Sequence, residues 1–524
     1  MTLGQMDNNY KASKEAFVSG MAGSTVFHVN KICMVALASI GLHSALRSRL
    51  VVFQTMPFIA EWLVLVMPLL LSMTVYAEAP GALSTLLLAP TCVLLLLPAI
   101  ESGTPLPSKI NETQPNVAAS NNINNNQSNA QLSLKPLPAL TTYRAHMMLM
   151  TILSILAVDF PIFPRSLAKS ETYGVSLMDL GVGSFVFSQG IISAMPLIKN
   201  PSHLSAPIKP KLYQITKKIA PIIVLGLVRV LLVKGTQYPE HVTEYGVHWN
   251  FFLTLAILPV AEVALHPIIK YIPIALLGLW IAVLQQFALS TGGLKDFLLD
   301  APRSNIIYAN KEGLISLLGY FSIHIMGLSL GTIILPPSPS YFRKQQAIYL
   351  EGDKDKHAAR LDPSAPRQNP KTIMELSSYA VVWWVLLAFV RIGLDVSRRM
   401  ANLSYILWIV AFNTSFVLGY YLLDMLFFPA RISKLKDPSD PSGKRILQED
   451  PTTSRTKFAP ALLEALNKNG LATFLLANVA TGLVNLSFPT MYTSNGKAVL
   501  ILTGYSFGVS VFAWSFRNRR LWKM

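Results

Sequence analysis

The chain has 524 residues, 52% hydrophobic and only 14% charged, and its 44 lysines and arginines against 27 acids give a formal charge of +17. A water-soluble protein carries about 25% charged residues, spread over amphipathic stripes, so a soluble globular enzyme is excluded. The basic excess implies no nucleic-acid partner, because Lys and Arg gather in the cytoplasmic loops of helical membrane proteins.

In chain order, residues 1–24 are polar and lack the parts of a signal peptide, so the first span is expected to direct insertion. Apolar runs suited to a roughly 30 Å hydrocarbon core then fall at 29–46, 57–77, 81–100, 145–160, 173–195, 219–233, 248–265, 271–290, 312–335, 378–396, 403–428, 468–488 and 496–516. They predict an all-α fold: a polytopic helical membrane protein with about 13 transmembrane helices, forming a single integral membrane domain over 1–524. Lys31 and His43 soften the first run, and Gly and Ser soften 173–195, which leaves the count between eleven and thirteen. Cys33 and Cys92 lie inside apolar runs, as small buried hydrophobes do, and neither a disulfide nor a metal site is expected.

Three connecting segments are too polar to build a core and are expected to be disordered: 101–141 with its Asn-rich tract at 121–126, 337–374 with Pro and charge, and 429–460 with a repeated Asp-Pro-Ser. Assigning Lys and Arg to alternate sides puts 29 on one side and 11 on the other. The richer side is cytosolic, so the N-terminus is expected in the lumen and the tail with Arg517, Arg519, Arg520 and Lys523 in the cytosol. The glycosylation-type triplets at Asn111 and Asn126 are then cytosolic and unmodified.

The lumenal segments are short yet hold most of the unusual polar residues. Asp159 to Arg165, Lys169 and Glu171 follow one span, and Tyr238 to Asn250 follows another. Asn310 to Gly313, Arg398, Arg399, Asn402, Asn478, Thr481 and Asn485 reach the same face. Such a gathering at helix ends suits a polar head group held beside lipid tails. Asp159, at the end of an apolar helix, fits a general base, and Lys169 fits a group that stabilises an oxyanion. Pro161 and Pro164 favour a turn that brings the two together, and a structural ion pair is the competing reading of the same residues. On a helix His241, Glu244 and His248 would share one face, as a metal site, as a base with its orienting carboxylate, or as an interfacial His-Trp pair with Trp249. Gly246 interrupts that helix and no HExxH or Cys pattern accompanies it, so no metal is expected. Arg391 with Asp395, Arg229 with Asp179 or Glu262, and Asp424 read as packing charges within spans. No phosphate loop, GxSxG elbow or internal repeat is visible, which argues against a pump, a serine hydrolase or an inverted-repeat transporter.

The blocks Ala157-Val-Asp-Phe-Pro-Ile-Phe-Pro-Arg165, Lys169, Glu171-Thr172, Ser176 to Phe185 and Glu240 to Phe252 closely resemble the inositol acyltransferases of glycosylphosphatidylinositol (GPI) anchor biosynthesis. These are the fungal GPI-anchored wall protein transfer family and its mammalian PIG-W-like counterparts. Phe17-Val-Ser-Gly20, Ala309 to Gly313, Ser397 to Leu403 and Leu476 to Asn485 extend the resemblance nearly end to end. It departs at Lys311 and Ser404, where fungal relatives often have Arg and Pro, and in the Asn-rich tract. The resemblance implies an enzyme of the endoplasmic reticulum membrane that moves an acyl group, usually palmitoyl, from acyl-CoA to the inositol 2-hydroxyl of glucosaminyl-phosphatidylinositol. Acyl-CoA is then a co-substrate and no resident cofactor is implied. It also implies that Asp159 and Lys169 are the catalytic pair, with direct transfer and no acyl-enzyme. Glu244, His248, Trp249, Asn250 and Asn310 are candidates for the inositol or phosphate end. The rival readings are a lipid transporter with the same polar cleft, and a membrane O-acyltransferase that uses His248 as its base.

Overall fold

In a computed structural model of the chain, the described residues are 13–14, 16–17, 19–100, 134, 136–234, 242–351, 365–429, 432–436, 445–449 and 459–521. An apolar run in hydrocarbon must satisfy its own backbone, and helices do so locally. The helices are α1 Val26–Arg49, α2 Phe58–Leu65, α3 Met67–Ser72, α4 Pro80–Leu95, α5 Pro138–Ala157, α6 Leu177–Lys199, α7 Ile208–Lys234, α8 Val242–Tyr245, α9 Phe251–Ile269, α10 Ile274–Ser290, α11 Leu294–Asp300, α12 Ile306–Ala309, α13 Lys311–Ile334, α14 Tyr341–Glu351, α15 Asn369–Val390, α16 Leu403–Phe427, α17 Ala461–Lys468, α18 Gly470–Ser487 and α19 Asn495–Ser515. A short antiparallel pair, β1 Ile432–Lys436 with β2 Arg445–Glu449, completes the order.

All thirteen apolar runs are largely helical, and the protein is an all-α, polytopic membrane protein. Among the described residues nine helices are long and apolar enough to cross a membrane, or ten if α10 and α11, bent by 61°, form one span. The difference from thirteen is physical. Pro68, at the start of α3, accompanies a break of run 57–77 into two short helices, α4 has 16 residues, and α7 carries Lys209, Lys211, Lys217 and Lys218 in its first half. Run 378–396 also ends early, at Val390, and Arg391 and Asp395 form no ion pair among the described residues. Of the segments expected to be disordered, 101–133, 135, 352–364, 430–431, 437–444 and 450–458 lie outside the described residues, as do Asn111 and Asn126. Within 337–374, α14 is helical and α15 begins at Asn369.

The central helices are α13 and α16, buried along most of their length, while α15 and α18 turn most of their surface outward. α13 packs most extensively on α6. Glycines make that approach possible: a Cβ on Gly190 would collide with the His324 carbonyl, on Gly327 with the Phe187 carbonyl, and on Gly331 with the Ile191 carbonyl. Small residues four apart let helix backbones meet where lipid provides no hydrophobic drive. Gly190→Ala is therefore expected to cost about 1–3 kcal/mol by overpacking, whereas Gly482→Ala, which faces open space, is expected to be silent. Thermal unfolding in detergent checks this, and equal midpoints for the two variants would contradict it.

Alternating helix directions bring the end of α5, the starts of α6, α9, α13 and α16, and the end of α18 to one membrane face. Long-range hydrogen bonds record this convergence: Ser24 N to the Val175 carbonyl, Val247 N to the Ala309 carbonyl and Gly174 N to the Val396 carbonyl.

Candidate active site

Asp159 follows the last turn of α5 and is buried, 2% exposed. Its Oδ2 accepts a hydrogen bond from Asn485 Nδ2 at 2.8 Å, and its Oδ1 lies 3.4 Å from Lys14 Nζ. Lys14 also donates to Asn485 Oδ1 at 2.9 Å, closing a triangle between the N-terminal segment, the loop after α5 and the end of α18. The N-terminal segment is held there twice more: Gly20 N donates to the Glu171 carboxylate at 2.8 Å, and the Phe17 ring lies under the Arg165 guanidinium at 4.1 Å. Burial pulls the Arg165 guanidinium down to about 10, with the nearby Asp159 carboxylate opposing.

Lys169 takes a different partner. Its ammonium donates to both oxygens of Glu244, at 2.7 and 2.9 Å, and its side chain is 33% exposed. Two of its three N–H groups are so engaged, which leaves one for a ligand. Asp159 and Lys169 are thus not an ion pair with each other. They stand on the wall of one cavity, the base candidate anchored behind and the cation candidate held from the side.

Behind this pair lies a buried polar knot. Arg398 Nε donates to Asp179 Oδ1 at 2.6 Å, and Asp179 Oδ2 accepts from the backbone N–H of Ser170 at 3.0 Å and its hydroxyl at 2.6 Å. The Tyr405 hydroxyl donates to the Asp179 carbonyl at 2.9 Å. Burial works against the charge on Arg398, but the Asp179 carboxylate, together with Tyr320, Glu244 and Tyr245 around it, outweighs burial, and the guanidinium is held well above its ordinary range. Because Ser170 adjoins Lys169 in sequence, this knot sets where the Lys169 stem leaves the backbone.

The cavity has a volume of about 890 Å³ and is mostly apolar. Its polar end is formed by Asp159, Lys169, Glu171, Glu244 and Arg398. From there it follows one face of α5 through Val158, Ser154, Thr151, Met147 and Tyr143, a path of about 22 Å along the helix. Its far end is polar again but satisfied, with Tyr143 donating to Asn413 Oδ1 at 2.6 Å and His146 Nδ1 2.9 Å from the Tyr420 hydroxyl.

The other expected site residues divide. Glu244 lines the cavity. Asn310 is turned to the backbone: its Oδ1 accepts from the amides of His248 at 2.7 Å and Trp249 at 2.9 Å, and its Nδ2 donates to the Ile306 carbonyl. Asn250 caps α9 through the amides of Phe252 and Leu253 and donates to the Gly226 carbonyl at 2.8 Å. The Trp249 indole donates to Thr254 Oγ1 at 3.0 Å. These three and half-buried His248 do not line the cavity. A shared helical face for His241, Glu244 and His248 is not formed either. α8 ends at Tyr245, Gly246 turns with φ +111°, Glu244 binds Lys169, and His241 lies outside the described residues. The acids expected to pair with Arg229 are engaged elsewhere, Asp179 with Arg398 and Glu262 with His324 at 2.7 Å. Among the described residues no His, Cys, Asp and Glu cluster suits a metal ion.

Lys14 and Asp179 carry no local signal that marks them as parts of a site, and Arg398, marked by its place on the polar face, carries none that names its partner. Lys14 is one lysine in a polar N-terminal segment, and its contact to Asn485 spans 471 positions.

Comparison with known proteins covers nearly the whole chain. A family model described as GWT1 matches residues 10–516. Three curated relatives are each called GPI-anchored wall transfer protein 1. The protein of Aspergillus oryzae is 39% identical over 95% of this chain and 96% of its own length. That of Candida glabrata is 35% identical over 98% and 99%, and that of Cryptococcus neoformans var. neoformans 33% identical over 98% and 99%.

Proposed function

The chain belongs to the GWT1 family of membrane transferases in GPI-anchor biosynthesis, and from that membership we propose that it is the inositol O-acyltransferase of the pathway. It takes a palmitoyl group from acyl-CoA and places it on the inositol 2-hydroxyl of glucosaminyl-phosphatidylinositol, in the endoplasmic reticulum membrane, with its N-terminus lumenal and its C-terminus cytosolic. The observation that carries this reading is a buried carboxylate and a lysine at the polar end of a long, mostly apolar cavity. That shape suits an acyl chain lying along α5 with its thioester toward the polar end.

In the proposed step Asp159 accepts the proton of the inositol hydroxyl as that oxygen attacks the thioester carbonyl. The carbonyl oxygen becomes an oxyanion, stabilised by the remaining N–H of Lys169. The C–S bond then breaks, and the departing CoA sulfur takes the proton from Asp159, which restores the carboxylate. No enzyme nucleophile is needed, because the cavity holds both reactants together and makes the transfer effectively unimolecular. Lys14 and Asn485 orient the carboxylate, and Glu244 orients Lys169.

The test supplies purified protein with labelled palmitoyl-CoA and glucosaminyl-phosphatidylinositol and follows acylated lipid and free CoA together. Equal appearance of both products supports the reading. Lipid movement across the bilayer without CoA release would make the protein a transporter. Lys169→Met is expected to lower turnover by about 10²–10³-fold, the effect of losing one oxyanion donor, and unchanged turnover would remove Lys169 from the mechanism.

A further inference from the structure

The cavity is walled on one side by α7, through Leu225, Val228 and Arg229, and nearby by α18, through Phe474, Leu475, Asn478 and Val479. These two helices pack on different neighbours, α7 on α9 and α18 on α5 and α19, and among the described residues make no extended contact with each other. Val228, Arg229, Asn478 and Val479 are all exposed, so the wall between the helices opens sideways, where lipid would lie.

Arg229 is the unusual member of this opening. A cation on the outer surface of the apolar second half of α7 is costly beside lipid unless it sits at head-group level. The Gly226 carbonyl accepts from Asn250, the cap of α9, which sets Gly226 at the same face as the candidate active site. Arg229 lies three residues further toward that face, about 4.5 Å along the helix. Asp179 and Glu262 are held by Arg398 and His324, and among the described residues the Arg229 side chain has no ion pair or hydrogen bond. A guanidinium at the mouth of a lipid-sized cavity, at head-group level, is suited to a phosphodiester, which it binds through two parallel N–H groups.

We propose that Arg229 receives the phosphodiester of the acceptor lipid as that lipid enters sideways between α7 and α18. The inositol ring then lies inward, toward Asp159 and Lys169, and the glycerol-linked tails remain in the bilayer. This inference rests on the acyl-acceptor reading above and names the residue that recognises the acceptor's charge.

The test has two arms. In the first, labelled phosphatidylinositol binds purified protein in neutral detergent, for wild type, Arg229→Gln and Arg229→Lys. Arg229→Gln is expected to weaken binding about tenfold, and Arg229→Lys, which keeps the charge, is expected to recover most of it. In the second, the KM for glucosaminyl-phosphatidylinositol rises by a similar factor in Arg229→Gln while the KM for acyl-CoA holds. Wild-type binding by Arg229→Gln would overturn the proposal. So would a rise confined to the KM for acyl-CoA, which would assign the guanidinium to the CoA phosphates. Because the binding arm needs no turnover, the two readings fail separately: binding through Arg229 without acylated product sinks the acyltransferase reading alone, and acylation with Arg229-independent binding sinks this one alone.

Discussion

Asp159→Asn is expected to lower acyl transfer by about 10²–10⁴-fold, the range a positioned general base contributes. The substitution preserves shape, so the contact to Asn485 and the packing at the end of α5 should survive. The amide, however, has lost the capacity to take a proton from the inositol hydroxyl. Lys14→Met makes a second comparison. If Lys14 only orients the carboxylate, its loss slows turnover while leaving KM for both substrates near the wild-type values, and Lys14→Arg recovers part of the rate. Steady-state kinetics on folded, monodisperse protein would decide. An Asp159→Asn enzyme within about tenfold of wild type would remove Asp159 as the base, and a His248→Ala variant without turnover would then point to the imidazole despite its position off the cavity wall.

The second large effect concerns stability. Arg398→Met leaves the Asp179 carboxylate buried without its cation, and breaking a buried pair from one side costs about 3–5 kcal/mol. That is a large fraction of a domain's net stability of roughly 5–15 kcal/mol, so the variant is expected to unfold at a much lower temperature and to yield little protein. The double variant Asp179→Asn with Arg398→Met removes both charges, and it is expected to recover a good part of the loss. Unfolding midpoints of the two singles and the double form the cycle that isolates the pair. Single variants as stable as wild type would show that the knot is not needed to hold the loop of Ser170 in place.

Much of the architecture is legible in the sequence because membrane insertion is governed locally. Each run from 29–46 to 496–516 excludes water over its own length and must bond its own backbone, so helices appear at all of them. What run length does not reveal is where a helix breaks or bends, as at Pro68 or between α10 and α11. The site was partly legible. Asp159, Lys169 and Glu244 line the same cavity, and their polarity at helix ends marked them. His248, Trp249, Asn250 and Asn310 carried the same mark, yet the asparagines and the indole bind neighbouring groups, chiefly backbone, that the ends of α9 and α12 leave open.

Partner choice is where local reasoning stops. An i, i+4 spacing suggested Arg391 with Asp395, but α15 ends at Val390 and the helical face that would unite them does not exist. Nothing near Lys14 in sequence points to Asp159, and nothing near Asp179 points to Arg398, 219 positions away. The sequence by itself determined a polytopic helical membrane protein with a polar face and named the carboxylate and the lysine there, because water exclusion and helix formation act over one segment at a time. Only the tertiary structure decided that these two stand apart with separate partners, that a cavity joins them, and that Arg229 faces outward. Those outcomes depend on which helices pack side by side, and close packing brings together groups that are hundreds of residues apart along the chain.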